Sequence, residues 1–272
     1  MAFKLREMGM RAASAVVLAP FAVFAVWLGG PWILAVMLAA CVLLASEWAK
    51  MSARTAWKPM FAAVASALVA AVAVTHVAGL SFGLVLMVFG AALAGVFARS
   101  RGLSAVDAAY GVLYIGWPAV LMIWLRDGTS AVGFYWVTLA FAVTWSADIA
   151  AFLVGSLVGG PKLWPRFSPN KTWSGFIGGL VAATLAGVLM ATLPEMGAPN
   201  LLWSAMLGLA GGLATMAGDL WESALKRRFG VKDAGDLIPG HGGLLDRVDG
   251  LMFAIVVIAA GRALGHYLGG GA

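Results

Sequence analysis

Half of the chain's 12 acidic residues lie between positions 219 and 249: Asp219, Glu222, Asp233, Asp236, Asp246 and Asp249. Lys226, Arg227, Arg228, Lys232 and Arg247 share the same stretch. On a helix, Asp219, Glu222, Ser223 and Lys226 fall at i, i+3, i+4 and i+7 and share one face. Asp246 and Asp249 are three apart and share a face of the next helix. Between them runs Pro239-Gly240-His241-Gly242-Gly243. Its glycines reach backbone shapes closed to other residues and let amide N–H groups approach phosphate closely. Two helix ends bearing carboxylates, joined by a basic glycine-rich loop, suit a metal–phosphate site. Mg²⁺ takes oxygen ligands and bridges to substrate phosphates through one or two carboxylates. Lys and Arg neutralise the remaining phosphate charge.

A second group lies upstream. Asp148 falls inside an apolar run, where a carboxylate is costly and marks a functional site by default. A structural hydrogen bond to a neighbouring helix is the alternative. The run leads into Gly159-Gly160-Pro161-Lys162 and then Ser168-Pro169-Asn170-Lys171-Thr172. Lys171 and Thr172 stand at the start of the next apolar run, where a helix N-terminus favours an anion. Lys162 and Arg166 fit phosphate binding and membrane topology equally well. His76 and His266 have no carboxylate or histidine at metal-ligand spacing and read as packing residues.

The elements that position these groups follow from composition. Of 272 residues, 62% are hydrophobic and 11% charged, and the mean hydropathy is +0.94. Soluble domains carry about 25% charged residues, so a soluble globular fold and a disordered chain are both excluded. The single Cys41 excludes an internal disulfide framework. Apolar runs long enough to span a bilayer occur at about 12–29, 31–46, 59–79, 80–98, 108–125, 132–155, 173–193, 201–219 and 250–268. The expected fold is an all-α, polytopic integral membrane protein with about nine transmembrane helices. Residues 1–107 hold about four spans. Residues 108–272 form the catalytic region, with loops 156–172 and 220–249, all within one integrated membrane domain.

Orientation follows from the 18 Lys and Arg. With the N-terminus cytoplasmic, all but Arg126 and Arg262 fall on the cytoplasmic side, as the positive-inside rule requires. The net charge of +6 therefore reports topology, and no nucleic-acid partner is expected.

Ser223-x-Leu225-Lys226-Arg227, Lys232-Asp233-x-Gly235 and Ile238-Pro239-x-His241-Gly242-Gly243-Leu244-x-Asp246-Arg247-Val248-Asp249 together resemble the signature of the phosphatidate cytidylyltransferases, or CDP-diacylglycerol synthases. The resemblance extends to Asp148 and to Ser168-Pro169-x-Lys171-Thr172. Many family members have Lys where Asn170 stands and Glu where Ser174 stands, so neither position is given an essential role. The resemblance implies that CTP and phosphatidic acid give CDP-diacylglycerol and pyrophosphate, with Mg²⁺ required. It also implies a site facing the cytoplasm in a bacterial-type inner membrane, and leaves a second cation and a homodimer open.

Within that reading, Asp219 and Asp246 lead as metal ligands, with Asp148 and Asp249 for a second ion or for ordering the first. Lys226, Arg227 and Lys232 hold triphosphate and departing pyrophosphate, and Lys171 meets lipid phosphate or CTP. Ser168, Thr172, Ser223, Gly242 and Gly243 complete the substrate-binding set. His241 donates to phosphate or shapes its loop, and Asp233 and Arg247 form a supporting pair. Two rivals remain: another CTP-dependent lipid enzyme, such as a lipid-alcohol kinase, and an ion-coupled transporter. The complete signature speaks against the first. Charge gathered at one face, rather than along a path through the midplane, speaks against the second.

Overall fold

The computed structural model describes residues 23–126, 130–165, 168–193, 200–235, 237 and 242–269, with side chains to residue 265. The helices are α1 (Gly30–Ala53), α2 (Trp57–Ala78), α3 (Leu80–Ser100), α4 (Ala105–Arg126), α5 (Ala131–Val158), α6 (Trp173–Ala191), α7 (Leu201–Arg228) and α8 (Leu245–Gly269). Residues 23–28 are also helical. Among the described residues, seven stretches are long and apolar enough to cross a membrane. The first, Gly30–Ala78, is 49 residues long and contains both α1 and α2, joined by a 3-10 turn at Arg54–Ala56. The expected span at 12–29 lies mostly outside the described residues. The protein is thus an all-α polytopic membrane protein. Lipid offers no hydrogen-bond partners, and a helix satisfies its own backbone.

The chain forms two compact units. One comprises residues 1–127 and 228–248, the other residues 128–227 and 249–272. In the first unit, α1 to α4 pack as a bundle, with α2 against α1, α3 and α4. Small residues set the spacing. A side chain on Gly83 would meet Thr75 Oγ1 at 1.8 Å, and one on Gly111 would meet Trp48 Nε1 at 2.2 Å. Trp48 is fully buried there and donates from Nε1 to the Asp107 carbonyl at 2.9 Å. Arg126, at the end of α4, is also buried. It donates from Nε to Val26 O (2.6 Å) and from Nη2 to Trp27 O (3.1 Å). The terminal carbonyls of the 23–28 helix thereby gain a charged donor that lipid could not supply. Arg126→Ala is expected to destabilise the protein by about 1.5–3 kcal/mol, the worth of a hydrogen bond to a charged group. Thermal unfolding in detergent checks this, and an unchanged midpoint counts against the assignment.

In the second unit, α5 and α6 form a tight helical hairpin. Ser130 caps α5 by accepting from Gly133 N–H at 3.0 Å, and Thr172 caps α6 by accepting from Gly175 N–H at 3.2 Å. Gly155, Gly175 and Gly179 allow the backbones to touch. A side chain on Gly175 would stand 2.6 Å from the Ala151 carbonyl, and one on Gly179 would stand 2.8 Å from that of Ala147. Gly187 and Gly208 do the same for α6 and α7, as Gly208 Cβ would sit 2.5 Å from Ala183 O. Such small-residue contacts are how membrane helices gain packing without a hydrophobic driving force between them.

The expected loop at 156–172 contains a small antiparallel ribbon, β1 (Lys162–Trp164) and β2 (Ser168–Thr172), with Lys162 opposite Thr172 and Trp164 opposite Ser168. Pro169 is tolerated because a two-stranded ribbon has only edges. The Trp173 N–H donates to Pro161 O at 3.0 Å, and Ser174 Oγ donates to Gly159 O at 2.5 Å. Ser174, a departure from the family pattern, therefore ties the start of α6 to the end of α5.

Candidate active site

The second unit contains a cavity of about 570 Å³ where α5, the ribbon, α6 and α7 meet. Asp148, Lys162, Asn170, Lys171, Thr172 and Asp219 line its polar part. Phe152, Phe176 and Met216 line its apolar part. Lys171 Nζ donates to Asp219 Oδ2, joining two residues 48 positions apart that sequence reasoning had placed at the same chemistry. Both side chains are partly exposed, at 33% and 21%, so the pair remains open to a ligand. A cavity with a cation, carboxylates and an apolar flank can accept a molecule having a phosphate head and a greasy body.

Asp249 lies within electrostatic reach of Asp219, Glu222 and Lys171. Close contact between α7 and α8 brings it there. A side chain on Gly218 would stand 2.4 Å from the Asp249 carbonyl, and one on Gly250 would stand 3.0 Å from Asp219 Oδ1. Sequence reasoning missed both glycines. The signal was present as a glycine one residue from each carboxylate, but glycine is common in membrane helices and says nothing of its neighbour. Farther along α7, Lys226 Nζ pairs with Glu222 Oε2 at 2.5 Å, and Glu222 is buried. Lys226, expected at phosphate, is thus held by a carboxylate one turn back. Ser223 is half-buried, and Arg227 is exposed. Ser168 is half-buried in β2 and is not part of the cavity lining.

In the first unit, the signature loop is built around two carboxylates. Asp246 Oδ2 accepts from Ala234 N–H and from Gly243 N–H, each at 2.9 Å. Glu47, from α1, accepts from Leu244 N–H with Oε1 (2.7 Å) and from Leu245 N–H with Oε2 (2.8 Å). Gly242 has φ 81°, a left-handed conformation that glycine adopts without strain. A side chain on Gly243 would stand 2.8 Å from both Glu47 oxygens. The loop entry is also tethered. Arg228 Nη2 donates to Asp107 Oδ1 at 2.7 Å, Arg54 Nη2 donates to Phe229 O at 2.9 Å, and Phe229 meets the Trp48 ring edge-on. Lys232, Asp233 and Arg247 are exposed. His241 and Arg166 lie outside the described residues.

Glu47 and Asp107 carry no signature, and sequence reasoning missed both. The span expected at 31–46 stops one residue short of Glu47, whereas α1 runs to Ala53 and buries it. The signal that could have found Glu47 is the one applied to Asp148 inside its run, extended to a carboxylate that directly follows an apolar run.

Among the described residues, no group of three or more His, Cys, Asp or Glu is arranged to hold a metal ion. In the second unit Asp219 and Asp249 lie within electrostatic reach of each other, and Asp148 lines the same cavity as Asp219. That set fits Mg²⁺, which binds protein through one or two carboxylates and fills its remaining positions with water and substrate oxygens. It does not fit a closed structural metal site, which needs a full protein shell.

A profile described as the cytidylyltransferase family matches residues 9–264. A protein of Brucella suis named phosphatidate cytidylyltransferase is 39% identical over 252 residues, covering 91% of this chain and 90% of that protein. One of the same name from Staphylococcus saprophyticus is 38% identical over 168 residues, covering 60% of this chain and 62% of that protein.

Proposed function

Since this chain belongs to the phosphatidate cytidylyltransferase family, we propose that it transfers CMP from CTP to phosphatidic acid, giving CDP-diacylglycerol and pyrophosphate with Mg²⁺ bound. The observation that carries this reading is the cavity in which Lys171 pairs with Asp219 beside Asp148 and an apolar flank. Its chemistry matches a lipid phosphate, and Asp148 and Lys171 belong to the motifs that carry the resemblance.

In the reaction, a phosphate oxygen of phosphatidic acid forms a bond to the α-phosphorus of CTP. The bond from that phosphorus to the oxygen bridging to the β-phosphate breaks, and pyrophosphate leaves with the electron pair. The nucleophile is already anionic, so the demand is to bring two polyanions together and stabilise the leaving group by position and charge. Lys171 and Lys162 offset phosphate charge in the cavity, and Asp219 aims Lys171. The apolar flank of Phe152, Phe176 and Met216 suits the glycerol-acyl end of the lipid, which reaches the cavity without leaving the membrane. Asp219 and Asp249 would hold Mg²⁺, which when bound supplies further neutralisation of phosphate charge. Lys226 reaches phosphate by exchanging Glu222 for it. For Asp246 the resemblance supports a place in the metal set, while its hydrogen bonds support a part in shaping the loop. The nucleotide-binding assignments of Arg227, Lys232, Asp233, His241, Gly242, Gly243 and Arg247 rest on the resemblance.

The clean partition of basic residues supports nine spans, a cytoplasmic N-terminus, and a site facing the cytoplasm of a bacterial-type inner membrane. Purified protein incubated with labelled CTP, phosphatidic acid and Mg²⁺ is expected to form labelled CDP-diacylglycerol and release pyrophosphate. Release of CDP instead would identify a kinase, and no lipid-dependent turnover at all would overturn the reading.

A further inference from the structure

We propose that Glu47 is a positioning residue for the signature loop, acting from α1 on the start of α8 and through it on Asp246. The amide groups that open a helix have no acceptor within it. They are commonly served by Ser, Thr, Asp or Asn at the cap position, but Leu244 stands there and has no side-chain acceptor. Glu47 replaces that cap from 197 residues away, giving one oxygen to Leu244 N–H and the other to Leu245 N–H. Glu47 is 2% exposed. A negative charge at a helix N-terminus also meets the positive end of the helix dipole.

The same carboxylate fills the space against Gly235 and Gly243, where a side chain would come within 3.0 Å and 2.8 Å of Oε1. Asp246, on the first turn of α8, takes the neighbouring amides of Ala234 and Gly243. Two carboxylates thus secure four backbone N–H groups, and only one of the two belongs to the signature. Without Glu47, the start of α8 would keep Asp246 but lose the fixed point that sets where Asp246 stands. The N-terminal bundle thereby acquires a part in the chemistry without touching substrate.

The catalytic consequence rests on the activity proposed above, whereas the capping role does not. The test compares Glu47→Gln and Glu47→Ala with the parent, as full-length chain in lipid nanodiscs. Hydrogen exchange over residues 243–245 and initial rates with CTP and phosphatidic acid are both measured. Exchange is expected to accelerate in both variants, more in Glu47→Ala. In that variant kcat should fall by about 10–100-fold, the usual loss for a group that orients a ligand without binding substrate, while KM for each substrate changes less. Glu47→Gln should fall between the two, because it keeps one acceptor oxygen and turns an NH₂ toward the second amide. A role in packing alone predicts parental behaviour for Glu47→Gln, which has the same volume. Parental exchange in Glu47→Gln overturns the proposal, and so does faster exchange with an unchanged kcat. If the parent itself makes no CDP-lipid, the activity reading has failed and exchange alone decides the role of Glu47.

Discussion

Asp219→Asn is expected to lower CDP-diacylglycerol formation by about 10³-fold, equivalent to about 4 kcal/mol of transition-state stabilisation. Asn has nearly the same volume and Asp219 is partly exposed, so the unfolding midpoint in detergent should stay close to that of the parent. What the substitution removes is charge. Lys171 loses the anion that aims it into the cavity, and the carboxylate pair with Asp249 loses one member. Lys171→Met is expected to be severe for the complementary reason, because phosphate then meets an apolar end. If the two residues work as a unit, the double variant should be no slower than the slower single one, as is usual for groups that act together. Rates at saturating CTP and phosphatidic acid measure this. A parental rate in Asp219→Asn would remove it from the catalytic set, and fully additive losses would mean that the pair is not one device.

The second large effect is steric. Gly218→Val and Gly250→Ala are expected to cut turnover by about 10²-fold, the scale associated with a misplacement of about 1 Å at a reacting centre. At Gly218 a Cβ would stand 2.4 Å from the Asp249 carbonyl and 3.0 Å from Gly250 Cα. Those are backbone atoms, and no rotamer relieves the clash. At Gly250 a Cβ would stand 2.8 Å from Thr215 Cγ2 and 3.0 Å from Asp219 Oδ1. In each case α7 and α8 must separate where Asp219 and Asp249 face a common region. Overpacking of this kind costs about 1–3 kcal/mol of stability, which thermal unfolding reads separately from the rate. Ala217→Val is the control, since Ala217 is exposed on the same helix and should change neither quantity. Full activity in Gly218→Val would mean that the approach of these helices is not what sets the carboxylate geometry.

Much of this protein was legible before any coordinates. The apolar runs at 80–98, 108–125, 132–155, 173–193 and 201–219 correspond to α3, α4, α5, α6 and α7, because hydropathy and length are properties of one segment in one solvent. Asp148, chosen as a carboxylate inside an apolar run, and Lys171, Thr172 and Asp219, chosen from residue type and from their places at the ends of apolar runs, line one cavity. The motif resemblance agrees with the family to which the chain belongs.

Other features depend on residues far apart in the chain. Glu47 reads as the first residue of a loop until α1 is seen to continue past it and residues 197 positions later come to rest on its carboxylate. Arg126 reads as an exception to the partition of basic residues, and its guanidinium closes the end of another helix. Gly218 and Gly250 look like ordinary membrane-helix glycines until their helices are brought together. Hydropathy and helical periodicity are local quantities, so segments, faces and motifs could be read along the chain. Which carboxylate caps which helix, and which glycine carries the closest contact, is decided only by packing, because the partner that satisfies a buried polar group or fills the space above a glycine comes from a distant segment.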